Sequence, residues 1–177
     1  MRKWFATCTV AALWTCAVAA QAPTAMKPGP EQENLAHFAG SWKIEATVEP
    51  SPMGPGGKIT GTEKCAMFEG WHLVCDTTGN GPMGPMKGHA VMSYDRSAKQ
   101  YRYFSVSTMP DAEIATGTYS GDTWTWTGTM DMGGQTIHSR FTLVEKSPTV
   151  HSVKWEMSMD GQSWKQMMSG SSTKAGS

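Results

Sequence analysis

Trp42, Ile44, Ala46 and Val48 alternate with Lys43, Glu45, Thr47 and Glu49, and runs of this strand-like kind return along the whole chain. Such a period of two is the mark of a β-strand with one wet face. Further runs cover about 58 to 68 and 71 to 78. The clearest hairpin spans 86 to 106, where two runs rich in Tyr, Phe and Val flank a polar turn that opens at Asp95. More strands are predicted over 114–119 and 123–129, at Ile137, Ser139, Phe141 and Leu143, at His151, Val153, Trp155, Met157 and Met159, and over 164–169. Ten short strands joined by Gly, Pro, Asp and Ser turns specify an all-β fold. The consecutive hairpins favour a ten-stranded up-and-down antiparallel barrel, because closing the sheet removes its edges. A β-sandwich is the alternative. Gly61, Gly88, Gly117 and Gly128 fall inside strands, where glycine marks a bulge or bend.

The ends of the chain read differently. Arg2 and Lys3 precede an uncharged, mostly apolar stretch from Trp4 to Ala20, and Ala17-Val18-Ala19 offers a cleavage site. Residues 1–19 are therefore expected to be a signal peptide rather than an anchor, and the protein to be extracytoplasmic, periplasmic or secreted. Without Arg2 and Lys3, thirteen basic residues face fifteen acidic ones. No basic run remains, so nucleic-acid binding lacks its electrostatic basis. No later stretch is long and apolar enough for membrane insertion as a helix. Residues 20–29, with Pro23 and Pro28, read as a disordered lead-in and 172–177 as a disordered tail, leaving one domain over 30–171. Pro30, Glu31 and Glu33 open a short N-terminal helix that runs to Ala39 and stops at Gly40. Leu35 and Phe38 share one of its faces, so the helix is expected to lie on a core near one barrel end.

A short helix leading into Gly40-Ser41-Trp42 resembles the Gly-x-Trp opening of lipocalin-like barrels. Pro30-Glu31, Glu69-Gly70-Trp71, Gly88-His89-Ala90, Tyr94-Asp95 with Lys99 and Tyr101, and Gly117-Thr118-Tyr119 complete an order and spacing similar to a bacterial family, the domain of unknown function 1579. The resemblance covers about residues 30 to 170 and implies a lipocalin-like barrel, with no agreed activity. Lipocalins pair the first-strand Trp with an Arg on the last strand, and here no Arg follows Arg140.

Catalytic signals are sparse. There is no Gly-x-Ser-x-Gly elbow and no phosphate-binding loop, and Glu63, Asp76 and Glu156 read as scattered surface acids. Of four cysteines, Cys65 and Cys75 remain after processing, and an exported context favours a disulfide. A turn centred on Gly70 sets them opposite, though the turn residues alone do not fix that centre. No two histidines have metal-ligand spacing. Pairing Phe141 with Val153 about Ser147 sets Ile137 against Met157 and turns His151 inward, where it is a candidate haem ligand or a hydrogen-bonded core residue.

Methionine is the unusual component, fourteen residues in all. In an up-and-down barrel alternate connections share one end. On that count Met53, Met83, Met86, Met109, Met130, Met132 and Met159 gather at one mouth, opposite the helix. Thioethers suit a portal for varied apolar ligands, and Met-x-Met motifs suit Cu(I). The favoured function is non-enzymatic binding of a small apolar molecule, with no resident cofactor. The expected contacts are Met83, Met86, Met130, Met132, Trp42, Trp124, Trp126, Phe141 and Trp155. Cu(I) binding through Met, haem binding through His151 and an enzyme on the same barrel are the alternatives.

Overall fold

The computed structural model describes residues 26–52 and 54–176. The expected signal segment, the first part of the lead-in and Met53 lie outside them. One helix and ten strands follow in order: α1 (Pro30–Ala36), β1 (Gly40–Val48), β2 (Gly57–Phe68), β3 (His72–Gly81), β4 (Gly84–Asp95), β5 (Gln100–Ser107), β6 (Glu113–Ser120), β7 (Thr123–Met132), β8 (Gln135–Ser147), β9 (Val150–Ser158) and β10 (Lys165–Lys174). Each strand pairs antiparallel with its neighbours in sequence. The β1–β10 pair closes the ring, so the barrel is confirmed and the sandwich is not.

Local chemistry explains the joints. Pro30 occupies the first turn of α1, where its missing N–H costs nothing. The Gly29 N–H donates to Gln32 Oε1 at 2.8 Å, satisfying a donor that the helix leaves free. The helix ends at Ala36, earlier than Ala39, because its last bonds tighten to Phe38 N–H···O Leu35 and Ala39 N–H···O Ala36. At the β4–β5 turn, Asp95 Oδ1 accepts from the Ser97 and Ala98 N–H groups, each at 3.0 Å. These bonds, with Arg102 beside them, hold the Asp95 carboxyl below its usual range. Gly133 and Gly134 take φ of +66° and +85° in the two-residue β7–β8 turn, a backbone that side chains resist.

Three sequence expectations need correction. The tail after Ser171 is not disordered to its end: β10 continues to Lys174, with Ser172 opposite Ile44 and His151, and Lys174 opposite Trp42. A Ser/Thr run has no apolar alternation to announce it; the pairing groups left open on β1 and β9 determine its structure. The β8–β9 register is also displaced. Phe141 opposes Trp155 and Ser139 opposes Met157, because the turn lies at Pro148–Thr149, with Ser147 opposite Val150, and the ladder then shifts by one residue between Ser147 and Glu145. The displacement is even, so His151 still points inward. Finally, residues 26–29 have no regular secondary structure but rest on the barrel, with Arg96 Nη1 reaching the Met26 sulfur at 3.5 Å.

Cys65 and Cys75 stand directly opposite and form a disulfide, with Met67 opposite Leu73. The largest core cluster sits at the helix end, where Leu35, Leu73 and Trp124 are 0% exposed and Trp42 is 1% exposed, while Ile137, Ser139 and Met167 are buried nearer the far end. Among the described residues no helix is long and apolar enough to cross a membrane.

Candidate functional site

The inner wall changes character from the helix end to the far end. At the helix end it is filled. Trp42 donates its indole N–H to the Phe38 carbonyl at 2.7 Å, and Trp124 donates to Glu145 Oε1 at 2.8 Å. Tyr119 stacks on Trp124 at 4.4 Å, and Tyr101 meets it edge-on at 4.8 Å. Trp126 is also buried, its ring lying flat over Gly117, where a Cβ would stand 2.5 Å from the indole. That close approach is why this strand position is glycine.

Further along, Trp126 opposes Phe141, Phe141 opposes Trp155, and Trp155 opposes Met168, forming one cross-strand row over β7 to β10. Phe141 and Trp155 are only half-buried although they share the inward parity of Leu143, Val153 and His151. Met130 opposes Ile137 and Met86 opposes Gly79, both half-buried near the far end. Met83 occupies the β3–β4 turn, 65% exposed, and Met132 ends β7, exposed. Met109 and Met159 lie in the β5–β6 and β9–β10 connections of the same end. The predicted contacts thus divide. Trp42 and Trp124 belong to the packed floor, Trp126 borders it, Phe141 and Trp155 form wall, and Met83, Met86, Met130 and Met132 stand at or near the rim.

Glu63 was expected at the surface but faces inward. It shares the parity of Cys65, a signal that could have found it. Thr77 Oγ1 donates to Glu63 Oε1 at 3.1 Å, yet burial outweighs that bond and raises the carboxyl pKa. Burial also pushes the Tyr103 phenol up to about 12, with Glu113 and Glu63 adding to the rise. Asp76 is an exposed acid beside His89. Glu156 lies on the outer wall but is buried under its ion pairs, Arg140 at 2.9 Å and Lys154 at 3.0 Å. The Arg140 guanidinium in turn lies 4.1 Å over the Trp164 ring. Glu63 lies beside both cysteine sulfurs, but the disulfide leaves no thiolate for a metal.

His151 is 1% exposed. Its Nε2 lies 2.7 Å from His37 Nε2, and its ring stacks on Trp42 at 4.1 Å and meets Phe38 at 5.4 Å. Burial, then His37, then Lys174 depress its pKa to about 4. At 1% exposure, with its Nε2 already bonded to His37, this imidazole has no exposed nitrogen to offer an iron, so the residues present do not fit haem. The two Met-x-Met motifs lie on or at the end of β7 and β9 with β8 between them, about 10 Å apart by strand spacing. Lys174 Nζ sits 5.2 Å over the Trp42 ring. The cation that faces Trp42 from the last strand is therefore a lysine rather than an arginine.

No curated protein matches the chain in sequence. The fold is similar to that of Rv2717c from M. tuberculosis, at TM-score 0.62 and 13% identity, covering 85% of this chain and 100% of that one. It is also similar to the S-type phycobiliprotein lyase CPES from Guillardia theta, at TM-score 0.59 and 10% identity, covering 83% and 93%. Identities this low bear on fold alone. The family described as "Protein of unknown function (DUF1579)" matches residues 27–174, and the chain, a closed ten-stranded barrel with one short helix at its end, belongs to it.

Proposed function

We propose that this protein is an exported, non-enzymatic binder of a small, largely apolar molecule, held in the half of the barrel away from α1. One observation carries the reading: inward-facing Phe141 and Trp155 remain half-buried above a floor that is 0–1% exposed at Trp42 and Trp124. Apolar groups that a container leaves within reach of water gain free energy when a ligand covers them, at roughly 25 cal/mol per Å². Met83, Met86, Met130 and Met132 at the rim supply adaptable apolar contacts on the way in. Trp42 and Trp124 close the helix end beneath those side chains without touching the ligand. The disulfide agrees with an oxidising compartment.

A fluorescent fatty acid titrated into the mature protein tests this reading. Replacing Met83, Met86, Met130 and Met132 by Ser is expected to weaken its uptake about tenfold or more, and the Met83 and Met132 pair alone should weaken it with little change in unfolding midpoint, since these two exposed side chains bury little area. Equal uptake by the quadruple variant, or a wild type that never binds the probe, would sink the portal.

A further inference from the structure

The helix end contains a device that ligand binding at the other end does not use. His37 follows α1 directly and His151 projects from β9, and their Nε2 atoms meet at 2.7 Å. At that distance one nitrogen carries the hydrogen and the other the lone pair. One added proton is tolerated. Glu145 Oε2, 3.9 Å from His37 Nε2, stabilises a charge there, and imidazolium donating to imidazole is a stronger bond than the neutral one. A second proton removes the only acceptor and sets two cations nose to nose. Of the other titratable groups around the pair, Lys174 from β10 opposes that second charge, and Tyr119 from β6 reaches it only through Glu145, at 3.4 Å.

We infer that His37 and His151 form a two-proton latch, which holds α1 across the barrel end while at least one Nε2 lone pair remains and releases it when both imidazoles are cationic. Among the described residues the other polar ties of this segment are four: Asn34 Nδ2 donates to the Tyr101 hydroxyl at 3.2 Å, that hydroxyl donates to the Glu31 carbonyl at 3.2 Å, the Tyr94 hydroxyl bonds the Glu31 carboxylate, and Trp42 Nε1 donates to the Phe38 carbonyl beyond the helix. Seven residues do not hold a helix in water alone, so release of the latch also frays α1. The end of the barrel would then open in an acidified compartment.

Native-state hydrogen exchange of the full chain, resolved by residue between pH 8 and 4, tests the latch. Opening of the α1 amides is expected to stay flat or fall slightly down to about pH 6, then rise about tenfold per pH unit below about pH 5, while β3 and β4 remain protected. His37→Gln keeps a neutral hydrogen-bonding group and should erase the acid limb. An unchanged acid limb in that variant, or simultaneous loss of protection in α1 and the strands, overturns the proposal. Should the variant not fold, imidazole ¹⁵N shifts of the unmodified protein decide. Two histidines titrating independently near the ordinary imidazole value overturn the latch. One titrating far below the other supports it.

Discussion

Glu63 and Cys65 lie two residues apart on one face of β2, so a carboxyl and a disulfide share the inner wall. The carboxyl pKa is raised in the fold, chiefly by burial. A carboxyl with a raised folded pKa binds more protons folded than unfolded, so it costs stability as pH rises through the interval between the two values. Glu63→Gln is therefore expected to stabilise the protein at pH 7, with the gain disappearing by about pH 4, in urea unfolding at the two pH values. A gain equal at both would show that the carboxyl is not responsible. Gln keeps an acceptor for the Thr77 hydroxyl, so the comparison isolates charge.

At the scale of elements, the β2–β3 hairpin illustrates what could be read in advance. The ladder sets Cys65 against Cys75 and Phe68 against His72 around the Glu69–Trp71 turn. Replacing both cysteines by Ala is expected to cost about 2–3 kcal/mol in denaturant unfolding with the barrel retained, the amount a short closed loop contributes. A loss below about 0.5 kcal/mol would show that the link does not constrain the chain. Strand number, order and parity were legible because alternation and turn residues are local signals. Parity also turned His151 inward correctly. What was not legible depended on distant partners. Ser172–Lys174 became strand only because β1 and β9 flank them, and the β8–β9 register depended on a bulge that no residue type announces. His37 and Glu145 joined His151 through packing of α1 on the barrel, which neither strand period nor motif spacing encodes.

At the scale of the molecule, closure rests on the last strand. Lys174 N–H donates to the Thr149 carbonyl and Ala175 N–H to the Ser41 carbonyl, each at 2.8 Å. Ending the chain at Ser171 is expected to lose about 2 kcal/mol or more, from these bonds and the Lys174 cover on Trp42, seen as a lower urea midpoint at unchanged slope. An unchanged midpoint would mean that β10 closes the ring without its last turn of pairing. The same closure has a consequence in time. Nine of the ten strand pairings join neighbours in sequence, whereas β1 and β10 come from opposite ends of the fold. Hairpins register within microseconds, but β1 waits with an open edge until the chain is complete and its far end has been found. During that wait the β10 of another molecule can take the place of its own. Refolding at high concentration should thus divert the protein into strand-exchanged dimers, while dilution returns it to the single ring.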